Sequence, residues 1–167
     1  MTRNEPDVSR RQFLTGRLRR KEEVVRPPWL LPANLASCDG CGDCATACEP
    51  RLIFIVDDTP QLSFNQSECT FCGACAENCP QDLFDRQAPA FEHVVAIGAE
   101  CLAWNGIVCQ SCRDACPEMA ISFPPRIGGP FLPALRPDLC CGCGACIAAC
   151  PSEAISVDFQ ERRREDV

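Results

Sequence analysis

Cys140-Cys141-Gly142-Cys143-Gly144-Ala145-Cys146-Ile147-Ala148-Ala149-Cys150-Pro151 is the stretch on which the reading of this 167-residue chain turns. Three thiols two residues apart, at Cys140, Cys143 and Cys146, put three sulfurs on the inside of one tight loop, where they can hold three corners of a compact group. The fourth, Cys150, is carried out of the loop by its wider spacing. The small residues Gly142, Gly144 and Ala145 let the backbone come close to whatever the sulfurs hold and let its N–H groups donate to it. Bulk there would push the loop away.

The same run recurs upstream. Cys38, Cys41, Cys44 and Cys48 repeat it, with Glu49-Pro50 in place of an immediate proline, and Cys69, Cys72, Cys75 and Cys79 repeat it with Pro80. A third copy, Cys101, Cys109, Cys112, Cys116 and Pro117, has five extra residues between its first two thiols. The regular spacing is that of bacterial ferredoxins, in which the fourth cysteine of one run serves the cluster held by the other. Disulfide frameworks scatter their cysteines, whereas these seventeen fall in four bunches. Structural zinc takes paired knuckles and not four thiols in eleven positions. Iron-sulfur is therefore the preferred reading. The crossing rule gives four [4Fe-4S] sites: Cys38, Cys41, Cys44 with Cys79; Cys69, Cys72, Cys75 with Cys48; Cys101, Cys109, Cys112 with Cys150; and Cys140, Cys143, Cys146 with Cys116. Cys141 is left over, a spare beside a ligand or a substitute for Cys140. The widened third loop is expected to keep its site, with Trp104 either shielding a cluster or filling the loop.

The formal charge is −7. Each [4Fe-4S] core with four thiolates adds about −2, which brings a four-cluster chain to roughly −15 and argues against nucleic acid as a partner of the cysteine region. Residues 1–26 hold eight Arg or Lys against four acids, a net of +4 that leaves −11 for the rest. Within this basic segment, Ser9-Arg10-Arg11-Gln12-Phe13-Leu14 is similar to the core of a twin-arginine export signal. The charged stretch Thr15-Gly16-Arg17-Leu18-Arg19-Arg20-Lys21-Glu22-Glu23 follows it in place of an apolar region. No run reaches the ~18 apolar residues of a membrane span. The expectation is a cytoplasmic chain that is not exported.

The fold class expected is α+β: two tandem bacterial-ferredoxin-like domains with two [4Fe-4S] motifs each, made of short β-hairpins and short helices, behind a basic N-terminal tail. The divisions expected are 1–29 tail, 30–90 first domain, 91–160 second domain and 161–167 charged tail. Leu52-Ile53-Phe54-Ile55-Val56 reads as a strand, Asp57-Asp58-Thr59-Pro60 as a turn, and Gln61-Leu62-Ser63-Phe64 as a second strand. Val94-Val95-Ala96-Ile97, Met119-Ala120-Ile121-Ser122-Phe123 and Ala154-Ile155-Ser156-Val157 supply further strands. Residues 124–133 read as a Pro/Gly-rich connector, and Trp29 as a cap on the apolar edge of the first domain. Little apolar sequence remains outside the cysteine loops, so metal binding and folding should be coupled.

Four thiolates per cluster leave no open iron, which suits one-electron transfer and not substrate activation. The lone histidine, His93, lies in an apolar strand and is assigned a structural role. There is no P-loop or dinucleotide fingerprint, so no enzymatic activity is expected. The four runs, the Cys48-Glu49-Pro50 variant, the widened loop from Cys101 to Cys109, and the segment from Ser9-Arg10-Arg11 to Arg26-Pro27-Pro28-Trp29 together resemble the NapF family, ferredoxin-type accessory proteins of the periplasmic nitrate reductase system. The resemblance covers nearly the whole chain. It implies contact with the precursor of the molybdenum-containing catalytic subunit and help in its maturation before export. The alternative is an electron-relay subunit of a redox complex. Residues 1–29 are expected to form a recognition arm, with Phe13, Leu14 and Trp29 as apolar anchors.

Overall fold

The computed structural model describes residues 24–159. The twin-arginine-like motif, the apolar anchors Phe13 and Leu14, and the charged C-terminal tail lie outside the described residues.

One plan is used twice. In each half an inner hairpin joins the two cysteine runs, and the chain entering the first run pairs with the chain leaving the second. The first inner hairpin is β1 (Ile53–Val56) against β2 (Thr59–Leu62), antiparallel, with Ile53 opposite Leu62 and Val56 opposite Thr59. Its turn is only Asp57-Asp58, both at positive φ (47° and 57°), the two-residue geometry that matches the twist of a hairpin. The second strand therefore starts two residues earlier than the sequence indicates, and Pro60 belongs to it. A proline is tolerated because the sheet has two strands and both are edges.

The second inner hairpin pairs β4 (Ile121–Ser122) with β5 (Ala134–Leu135), a two-residue strand at the end of the Pro/Gly-rich connector that the sequence does not reveal. The outer pairing of this half joins β3 (Val94–Ile97) to β6 (Ile155–Asp158), with Val94 opposite Asp158 and Ile97 opposite Ile155. In the first half the equivalent pairing is a single bridge, Leu30 to Phe84.

Each run ends in one helical turn: α1 (Asp43–Thr46), α2 (Ala74–Glu77), α3 (Ser111–Asp114) and α4 (Ala145–Ala148). Four residues cannot sustain a helix alone. What holds each one is the cysteine at its second position, since Cys44, Cys75, Cys112 and Cys146 are all buried. Short 3-10 turns that begin on proline, Pro32–Ser37 and Pro137–Leu139, deliver the chain to Cys38 and Cys140.

Two small cores result. One gathers Leu52, Ile53, Leu62, Phe64 and Phe91 with Cys44 and Cys75; the other gathers Val95, Ala103, Ile121, Phe123 and Ile155 with Cys112 and Cys146. Ile147 packs on both. Phe91, assigned from sequence to the second domain, packs in the first core. Residues 24–29, assigned to the tail, are also docked: the Leu62 amide donates to the Val25 carbonyl at 2.9 Å, and Arg26 donates to Thr59 and to the Pro60 carbonyl at 2.9 and 2.8 Å. Trp29 packs its edge on Phe71 and bonds through its own backbone to Ala90 and Asp85, against the first half.

Candidate metal centres

Four hollows lie under the cysteine loops. One is walled by Cys38, Cys41, Cys44 and Cys79, and one by Cys48, Cys69, Cys72 and Cys75. A third is walled by Cys101, Cys109, Cys112 and Cys150. The fourth is walled by Cys116, Cys140, Cys141, Cys143 and Cys146. Each of the first three hollows takes three thiols from one run and one from the other run of the same half; the fourth takes Cys116 from the third run and four thiols from its own, the spare Cys141 among them. The remaining walls are apolar, for example Ile55 and Leu83 in the first, Leu52 and Leu62 in the second, and Ile97 and Phe123 in the third.

The donor set fits iron-sulfur clusters. No disulfide joins the seventeen cysteines. Among the described residues no three donors converge on a single ion-sized point. A zinc ion would need its sulfurs gathered about 2.3 Å from one centre. Thiols spread around an apolar-walled hollow suit a group that occupies the hollow itself.

Backbone conformation places the sulfurs. In three runs the glycine after the second cysteine caps the helix in the left-handed region, at φ 81° for Gly42, 81° for Gly73 and 82° for Gly144. The third run uses Gln110 at φ −137° instead, so the widened loop reaches its helix by another path. After the fourth cysteine of a run, Met119 and Glu153 take φ of 50° and 51°. That kink brings the next amide round to the sulfur: Ala120 N–H donates to Cys116 Sγ and Ala154 N–H to Cys150 Sγ, each at 3.3 Å.

Burial dominates the electrostatics. It pushes the thiols of Cys44 and Cys112 up to about 11 and those of Cys75 and Cys146 up to about 12. Without iron these thiols stay protonated at neutral pH, so binding iron must expel their protons. Cys141 behaves differently. A hydrogen bond from the Cys143 thiol lowers it to about 6, and the same bond pushes Cys143 up.

The widened loop is ordered. The Asn105 side-chain amide donates to the carbonyls of Ala99 and Cys101 at 2.8 and 2.9 Å, and the Ile107 amide to Leu102 at 2.9 Å. Trp104 does not line the hollow; it is 47% exposed, and Leu102 takes the wall position instead. The tight turn at 102–106 directs Ala103 inward and Trp104 out, which the loop's length alone does not reveal.

His93 is a buried residue, 2% exposed, immediately before β3 and not within it. Its Nε2 meets the Gly142 carbonyl at 3.0 Å. Its ring packs against Phe91, Phe64 and Phe159. This aromatic group between the halves carries no motif in the sequence; its only trace is that Phe64, Phe91 and His93 sit beside otherwise regular strands.

Residues 37–83 and 107–165 match the 4Fe-4S dicluster domain model. The ferredoxin-type protein NapF of Escherichia coli K12 is 41% identical over 157 residues, covering 92% of this chain and 96% of that protein. The ferredoxin-type protein NapF of Haemophilus influenzae is 37% identical over 166 residues, covering 91% and 94%. The methylamine utilization ferredoxin-type protein MauM of Methylorubrum extorquens is 30% identical over 150 residues, covering 77% of this chain and 68% of its own.

Proposed function

The chain belongs to the NapF family of ferredoxin-type iron-sulfur proteins, and from that premise we propose that its sixteen cysteines in crossed sets hold four [4Fe-4S] clusters for one-electron transfer, in a cytoplasmic protein that serves maturation of the periplasmic nitrate reductase catalytic-subunit precursor. The observation that carries the ligand sets is the crossed composition of the four hollows. Bound there, the clusters supply reversible one-electron chemistry. The chain's own groups do the rest. The sixteen thiolates would hold the clusters, apolar walls would keep water from them, and the Ala120 and Ala154 amides would withdraw electron density from Cys116 and Cys150 through their hydrogen bonds. Cys41 is exposed and would give electrons an entry at the surface of the first half. The reading is of an electron carrier. No helix among the described residues is long and apolar enough to cross a membrane.

Partner recognition is assigned to residues 1–29, whose net positive charge is set against an acidic body. The test is deletion of residues 1–23, which leaves the docked segment from Val24 onward in place. The truncated protein and the full chain are each used to capture the signal-bearing precursor from cytoplasm, with iron measured in both. Full iron with loss of capture supports the arm and the maturation role. Full iron with capture unchanged removes the arm. Stable capture of mature redox subunits in place of the precursor would favour the relay reading.

A further inference from the structure

Among the described residues, one main-chain contact between the halves lies between two cysteine loops. The Cys69 amide donates to the Cys143 carbonyl at 2.9 Å, the one main-chain hydrogen bond among the described residues that crosses from one half to the other. Cys69 opens the second run and Cys143 is the second thiol of the fourth. Around this bridge, His93 holds the Gly142 carbonyl of its own half and packs its ring on Phe64 of the other, Phe71 of the second loop packs on Phe91, and Phe64 lies against Gly144. The first and third hollows line neither this bridge nor its aromatic surround.

Resting on the ligand sets above, we infer that the four sites form one ordered series, first, second, fourth, third, in which the Cys69–Cys143 peptide contact is the crossing between halves and His93 is the residue that holds the two loops in register. At the crossing one electron leaves the reduced member of the pair and enters the oxidised one. No bond forms or breaks and no proton moves. The initial electron comes from an external low-potential one-electron donor, of the reduced flavin or ferredoxin class. The two ends of the series, under Cys41 in the first half and Cys109 in the second, are then the terminals for donor and acceptor. Sequence order would have put the second site next to the third. The structure instead sets the second loop against the fourth, through the Cys69–Cys143 contact.

The test uses electron paramagnetic resonance on dithionite-reduced protein. Cys41→Ala with Cys109→Ala leaves the second and fourth sites; Cys72→Ala with Cys143→Ala leaves the first and third. The expected result is spin–spin splitting in the first double variant and two isolated signals in the second. Unsplit signals in the first, or splitting in the second, overturn the series. A reading that keeps all sixteen thiols guards against misfolding: His93→Ala should reduce the coupling between halves and His93→Gln should restore it, and a spectrum indifferent to both overturns the role of His93. Iron is counted beforehand, and fewer than about sixteen atoms in the intact chain would overturn the four-site reading itself, a different failure from full iron without coupling.

Discussion

Phe64 lies so close over Gly144 that no β-carbon fits between the ring and the backbone. The contact joins the strand end before the second run to the loop of the fourth. Gly144 also sits at φ 82°, where L side chains are strained. Gly144→Ala should therefore combine backbone strain of about 1 kcal/mol with overpacking of about 1–3 kcal/mol. The expected outcome is a thermal midpoint several degrees lower in the iron-loaded protein, with selective loss of iron from the fourth site. An unchanged melt would show that Phe64 can swing clear at no cost.

An anaerobic preparation should contain about sixteen iron atoms and about sixteen acid-labile sulfides per chain. Cys101 walls the third hollow with Cys109, Cys112 and Cys150, so Cys101→Ala should lower iron to about twelve atoms. Iron unaffected by the substitution would exclude Cys101 as a ligand.

Removal of iron should unfold the chain. Four of the buried core residues are the cysteines Cys44, Cys75, Cys112 and Cys146, so each small core is completed by side chains that the iron holds together. Chelation followed by circular dichroism and a thermal scan is expected to show no cooperative transition; native dichroism with a sharp melt would refute the coupling.

Cys141 should be dispensable for iron and yet report on the fourth site. In the fold its thiol accepts a hydrogen bond from Cys143, and once Cys143 is a ligand it has no proton to donate, so Cys141 is left beside the site with that bond gone. Cys141→Ser is expected to retain full iron, counted in the anaerobic preparation, with at most a small change in the spectrum of the fourth site. Iron loss in the serine variant would instead make Cys141 a ligand.

The spacing of three of the four runs made the loops and their helical turns legible, and the crossed grouping was legible through the resemblance of that spacing to bacterial ferredoxins. Strands were legible where β-branched residues cluster, as at Ile53, Ile55 and Val56. Pro60 misled because Asp57-Asp58 lacks the Asn-Gly signature of a two-residue turn, although aspartate tolerates the left-handed region. β5 was hidden since two residues among prolines make no period. The contact of Phe64 with Gly144 depends on how the halves are set together, and that of His93 with Gly142 on how the second half closes on itself; no local pattern encodes either.

The unequal outer pairings bear on how the chain is made. Synthesis proceeds from the N-terminus, and units fold as they emerge. The first half has both its inner hairpin and its single Leu30–Phe84 bridge as soon as residue 84 leaves the ribosome. The second half cannot close until Ile155–Asp158 is available to Val94–Ile97. Val94 and Val95, buried in the finished protein, must wait bare for about sixty residues of further elongation. During that interval the nascent chain presents an unpaired apolar strand beside a completed first half, which is the moment at which it is most open to a chaperone or to self-association.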